Sequence, residues 1–438
     1  MVFSEMEGTI KDICSSVAKG DVISSYSHSR PVDFEMDHLK SIEDISRFSI
    51  GLRVFGGGRV GNSFINSLDD KDILINNALE SSSLGDEIDF DLPGALDFKP
   101  MNTFYPGVKD YDEHKAVKIG EEIIKRLKSI DSEAKVNAGI SASYSRNYLT
   151  NTNGFWGSYD STFFSVSAGM LLVDEAQGGG LLSVDEGDAS YNDDVDIENI
   201  CSTIEWRYKN ALNKVSMNTG YFPVLFSPDA LGLLLESIEI AANAKTLFKG
   251  ISVLSGKTGQ IIADPSFSIT DNPLLENGLG SYPFDDEGVL PGVLPIIENG
   301  VFKNFIYDLT TAKRLNARST GHGSRSTASM PSPSFSNLVV GTGSSSFEEM
   351  IGSIKYGLYV CEFLGGGMSN MIAGDFSVNV ELGYLVENGH VSGRVKDTML
   401  SGNVYDLLKD IEAIESRTHK KGSLYAPHIL FRKASITG

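Results

Sequence analysis

The chain has 438 residues, 41% of them hydrophobic, which is enough for a sizeable core and two or three domains at ~150 residues each. Its 37 basic against 58 acidic residues leave a net charge of −21, and Lys and Arg are scattered, which speaks against a nucleic-acid partner. Three distant cysteines without a CxxC fit a reducing cytosol; no apolar run is long enough for a membrane span, and the acidic start is no signal peptide, so a soluble cytoplasmic protein is expected.

Glycine, at 45 residues, exceeds its usual share of about 7% and punctuates short apolar runs, which predicts many strands and tight turns. Val2, Met6, Ile10, Ile13 and Val17 recur at helical spacing, so a helix opens the chain, and Val22–Ser29 follows as a strand. In Phe48–Asn66, alternating Ile50, Leu52 and Val54 lead through Gly56-Gly57-Gly58 to Val60, Phe64 and Ile65. Gly56–Gly61 matches the GxGxxG dinucleotide fingerprint, but that motif needs a helix immediately after its glycines. Asn62–Asn66 reads as a strand, and a hairpin is expected.

Helices are predicted over Ser67–Leu79 and Asp112–Ile130, the second with Ala116, Ile119, Ile123, Ile124 and Leu127 inward. The acidic stretch Leu84–Phe104 between them reads as a surface loop. Val136–Leu149 and Phe163–Val173 alternate as strands, with a turn signal at Asn151-Thr152-Asn153-Gly154. Asp185–Glu198 lacks the spacing of a calcium loop and reads as a solvated acidic loop leading into a helix over Glu198–Val215. The fold class expected is α+β. Residues 1–217 form an α+β domain with an antiparallel sheet, and residues 218–438 a β-rich domain with one long helix at its start.

That helix lies within Phe222–Gly250. Ser227 is its N-cap, Pro228 and Asp229 suit its first turn, and Gly250 is its stop. Leu231, Leu234, Leu235, Ile238, Ala241 and Ala242 make one apolar face, with Glu236, Glu239 and Asn243 on the other side. Paired acids on a helix suit a metallohydrolase, yet the stretch contains no histidine.

Beyond it stand Asn277-Gly278-Leu279-Gly280-Ser281-Tyr282-Pro283-Phe284-Asp285-Asp286-Glu287-Gly288, Ile297-Glu298-Asn299-Gly300-Val301-Phe302-Lys303 and Tyr307-Asp308-Leu309. Arg318-Ser319-Thr320-Gly321, Gly357-Leu358-Tyr359-Val360, Gly365-Gly366-Gly367, Gly374-Asp375-Phe376-Ser377 and Val386-Glu387-Asn388-Gly389 follow in order. In order and spacing these segments resemble the TldD/PmbA family, formerly called modulators of DNA gyrase. The resemblance implies a cytosolic metallopeptidase assembly of two related subunits, TldD-like and TldE (PmbA)-like. It also implies that the TldD-like subunit carries HExxxH on the long helix and a cysteine near the C-terminus, a plausible zinc set. If the Glu of that motif is Glu236, its histidines fall at Leu235 and Ile240, and no cysteine follows Cys361.

The chain therefore looks like the TldE/PmbA-type subunit. It is expected to hold no zinc itself, to work with a TldD-like HExxxH partner on a peptide substrate, and to be capable of a homodimer. A self-associating binding or scaffold protein without proteolysis is the alternative. The seven histidines show no HxH, HxxxH or HxxE spacing, and a site from His322, Cys361 and His428 would need distant segments to meet. The polar loop Arg318, Ser319, Thr320, Gly321 and His322 is a candidate contact for peptide or partner, or a structural turn. Gly365, Gly366 and Gly367 could form an edge where an extended peptide lies, or a bulge. Asp285-Asp286-Glu287 reads as a turn rather than a metal site.

Overall fold

The computed structural model describes residues 3–173, 180–365 and 370–438. Its N-terminal half grows from hairpins. After helix α1 (Phe3–Ser15) come strands β1 (Gly20–Glu35), β2 (His38–Ile42), β3 (Ile45–Gly56) and β4 (Arg59–Ile65). Gly57 and Gly58 both have positive φ, 60° and 79°, so the glycine run is the two-residue turn joining β3 to β4. No helix follows it, as the hairpin expectation requires. Helices α2 (Lys71–Leu84), α3 (Pro106–Lys109) and α4 (Glu113–Lys128) lead to the long strands β5 (Lys135–Asn151) and β6 (Trp156–Val173), then β7 (Leu181–Ser190) and helix α5 (Ile197–Ala211).

The strands form one antiparallel sheet in the order β4-β3-β1-β5-β6-β7, with β2 extending the β3 side of β1. Pro31 lies inside β1 where a ladder donor is missing. It falls in the gap between the β3 pairing, which ends at Ser29, and the β2 pairing, which starts at Val32, so no bond is lost on that side. Val22, Val32, Phe34, Val136, Ala138 and Ile140 are buried at even positions, so α1, α2, α4 and α5 pack on one face. Gly120 of α4 sits on the Phe34 ring, where a Cβ would come within 2.1 Å of it.

The sheet captures more of the chain than sequence alone suggests. Asp185–Ser190, expected as loop, is the end of β7, because its register with Phe164–Gly169 of β6 continues through it. The helix expected to reach Val215 stops at Ala211, and Lys214–Val215 form the short strand β8.

In the second half, β9 (Gly220–Phe226) enters an eight-stranded mixed sheet with Tyr356–Leu364, Asp375–Glu387, His390–Val395, Met399–Asn403, Ile411–Ile414, Ile429–Thr437 and β8. A six-stranded sheet includes Ile269–Asp271, Leu294–Glu298, Leu338–Val340, His419–Lys421 and Leu424–Ala426. The helix expected over 227–250 is two helices, α6 (Pro228–Ala241) and α7 (Ala244–Phe248). Asn243 is extended between them and bridges to Ile306, while its side chain caps Lys245 N at 2.9 Å, so the backbone leaves the helix there. Leu231, Leu234, Leu235 and Ile238 of α6 fill a core shared by both sheets. A second core joins α4 and α5 to Leu225, Tyr359, Tyr384 and Leu430, so the halves share hydrophobic interior. The α+β class, the antiparallel first sheet and the β-rich second part are as expected.

Candidate functional site

A cleft of about 820 Å³ lies where the halves meet. Its walls come from the end of β7, one side of α5, the start of α6, the start of the helix Phe347–Ser353 and the segment 415–421. Strand pairing explains what collects there. Ile414 pairs with Ile429, so the next residues out, Glu415 and His428, face each other, and Glu415 N donates to His428 O at 3.0 Å. The chain then turns back through a hairpin closed at Gly422, φ 61°, which pairs His419 with Ala426, two residues before His428.

Three side chains converge as a result. Glu415 Oε2 accepts from His419 Nε2 at 2.8 Å, from His428 Nδ1 at 2.7 Å and from the His428 backbone amide at 3.0 Å. The Tyr359 hydroxyl stands 3.2 Å from His428 Nε2, and the Phe347 ring lies against the same imidazole at 4.9 Å. Burial works against charge on Glu415, but the two imidazole hydrogen bonds prevail and hold its carboxyl well below the usual range. Burial also pushes His428 down and Tyr359 up, so the phenol stays protonated. Side-chain exposure falls from 27% for His419 to 10% for His428 and 5% for Glu415, so the group opens through His419 to the cleft.

An ion-pair network also lines the cleft. Arg207 of α5, its side chain 7% exposed, reaches Asp229 at 3.0 Å, Glu362 at 3.4 Å and Glu186 at 3.5 Å. Lys421 completes it on Glu186 at 2.6 Å and Asp229 at 3.2 Å. Burial raises the Glu362 carboxyl to about 7, which places a weakly acidic group beside the wall.

The residues singled out from sequence lie elsewhere. On α6, Leu235 is buried in the shared core, Glu236 is exposed and Ile240 is half-buried. Burial raises Glu239 to about 7, aided by Asp271 and Glu236. The helix offers no imidazole or thiolate, so it does not fit a zinc ion bound by two histidines and a cysteine. Arg318 is exposed, Ser319 and Thr320 bind Tyr307 through their hydroxyls, and Tyr282 OH donates to Gly321 O at 2.9 Å. His322 is buried between Asp271 Oδ2, 2.8 Å, and Thr320 O, 2.9 Å. Gly365 follows the strand Tyr356–Leu364 with φ 65°; Gly366 and Gly367 lie outside the described residues. Cys361 is buried, and burial pushes its thiol to about 11.

Asp285-Asp286-Glu287 forms the expected turn, closed by Gly288 N donating to Asp285 O at 2.9 Å, and within it Asp285 and Glu287 are buried. Asp285 accepts from the amides of Glu287, Val289 and Gly323, and Glu287 binds Arg53 at 2.7 Å. The sequence pattern places His428 only with His322 and Cys361; its grouping with Glu415 and His419 is hidden because the three lie across paired strands at spacings of four and nine. The hairpin signal Lys421-Gly422-Ser423 between them was the available clue.

Three family models match in series: the PmbA/TldA metallopeptidase domain 1 over residues 20–82, the central domain over 107–212 and the C-terminal domain over 219–438. An uncharacterised protein of Methanocaldococcus jannaschii is 27% identical over 420 residues, 94% of this chain and 95% of its own. A Metalloprotease PmbA homolog of Haemophilus influenzae is 25% identical over 423 residues, 93% of this chain and 89% of its own. The crystal structure of TldE from Thermococcus kodakarensis superposes with a TM-score of 0.91 at 24% identity, covering 99% of this chain and 100% of that one.

Proposed function

The chain belongs to the PmbA/TldD metallopeptidase family, and from that premise we propose that it is the TldE/PmbA-type subunit. It binds peptides or unfolded polypeptides in the cytoplasm beside a TldD-like subunit that carries the HExxxH zinc motif. The observation that carries this reading is α6. Its apolar face is buried in the core, and it carries no histidine; with Glu236 set as the motif's Glu, the histidine positions fall at Leu235 and Ile240. The helix serves as scaffold, and its first turn, with Asp229, forms part of the cleft floor. Arg318, the exposed residue of its loop, and Gly365 at the end of its strand are the proposed contacts for peptide or partner.

The test is cleavage of an unfolded polypeptide by the isolated chain, by a TldD-like subunit of the same organism, and by the two together. Cleavage is expected from the pair, faster than from the TldD-like subunit alone, and none from this chain alone. A rate from the isolated chain equal to that of the pair would overturn the reading.

A further inference from the structure

We propose that Glu415, His419 and His428 bind one divalent transition-metal ion of the zinc class, in the wall of the cleft and apart from helix α6. Among the described residues this is the one group of three or more potential ligands whose donor atoms lie within 4.8 Å of one another. The donor set is two imidazole nitrogens and a carboxylate oxygen. Imidazole selects zinc-like ions over calcium or magnesium, and three protein ligands leave a fourth tetrahedral position open.

The dimensions fit. The imidazole nitrogens stand 2.8 and 2.7 Å from Glu415 Oε2. Donors around a tetrahedral zinc at ~2.0–2.1 Å are separated by roughly 3.3 Å, so each ring needs to draw back from Glu415 by about half an ångström, and the two imidazole nitrogens, within 4.8 Å of one another, to adjust to that same spacing. His419, on the open side of the cleft, has room for that.

The supporting groups fit as well. With Nδ1 of His428 on a metal, its Nε2–H would donate to the Tyr359 oxygen now 3.2 Å away, which fixes the tautomer and the ring. Phe347 packs against that ring, and backbone pairing sets Glu415 opposite His428. The neighbouring cations do not oppose a metal, since Lys421 is occupied by Glu186 and Asp229, and Lys420 by Asp188. The open position faces the cleft and suits a peptide carboxylate or carbonyl oxygen as fourth ligand.

The experiment uses the full-length chain stripped with a chelator and titrated with zinc by calorimetry and with cobalt(II) by visible absorption. A single equivalent is expected, with the intense bands of a four-coordinate site. His419→Ala, the most exposed ligand, should abolish those bands while leaving the circular dichroism unchanged. Tyr359→Phe should weaken binding ~10–100-fold, as loss of an outer partner does. No binding by the parent chain, or unchanged binding by His419→Ala and by Glu415→Gln, would overturn the proposal. Because binding is read on the isolated chain and cleavage on the pair, failure here leaves the subunit reading standing, and the converse also holds.

Discussion

Replacing Arg53 with Leu tests how the halves are fastened. The Arg53 side chain is fully buried and reaches from β3 to Asp21 at 2.8 and 2.5 Å, and to Glu287 of the second half at 2.7 Å. Once Arg53 is gone, Asp21 keeps Arg325 at 2.5 Å, whereas Glu287 keeps only the Leu309 amide at 2.6 Å. The loss therefore falls on Glu287, whose carboxyl burial already pushes upward. Leaving one buried charge unpaired costs ~3–5 kcal/mol, and a hydrophobic pair in place of the ion pair restores ~1–4 kcal/mol. Urea unfolding followed by the fluorescence of Trp156 and Trp206 should show Arg53→Leu destabilised by about that first amount. Arg53→Leu with Glu287→Leu should be more stable than Arg53→Leu alone. A single variant within ~1 kcal/mol of the parent, or a double variant as unstable as the sum of the singles, would refute the argument.

Glu239 predicts a pH effect. Its folded-state pKa of about 7 lies above the usual carboxyl value, so between about 4.5 and 7 the native state holds a proton that the unfolded state has released. Stability from this group falls as pH rises through that window, and Glu239→Gln should remove the slope and stabilise the protein at neutral pH by on the order of 1 kcal/mol. On the same helix, Leu235→Ala should cost ~2–5 kcal/mol through lost packing, while exposed Glu236→Ala stays within ~0.5 kcal/mol in thermal melts. Comparable losses at both positions would contradict the buried-face assignment.

Local periodicity was legible where one face of an element meets one core. The helix around Ala116 and Ile123, and the hairpin through Gly57-Gly58, follow from residues within a few positions of each other. The long helix failed at Asn243 because its competitor is Ile306, sixty-three positions away, whose backbone pairs with the residues where α6 stops. Asp185–Ser190 reads as a solvated loop only while β6 and the cations of Arg207 and Lys421 are out of view. The Glu415–His419–His428 group was hidden for a related reason: templates for metal ligands count along helices and loops, and these donors are neighbours across a hairpin. The family, by contrast, was readable from glycine-rich segments, because turns with fixed backbone requirements leave their residue types in order along the chain.

Strand β1 has a further consequence, one of timing. It is bonded to β3 on one side and to β5 on the other, and β5 begins at Lys135, a hundred residues after β1 ends. At synthesis rates of ~5–20 residues per second, the open side of the β1–β3 pair waits several seconds or more for its second neighbour. An unpaired strand edge on an emerging chain invites the wrong partner. The waiting segment reads Ser24-Ser25-Tyr26-Ser27-His28-Ser29-Arg30, polar at nearly every position and ended by Pro31. Such a strand gains little by pairing with another chain, so its composition protects the molecule before its fold exists.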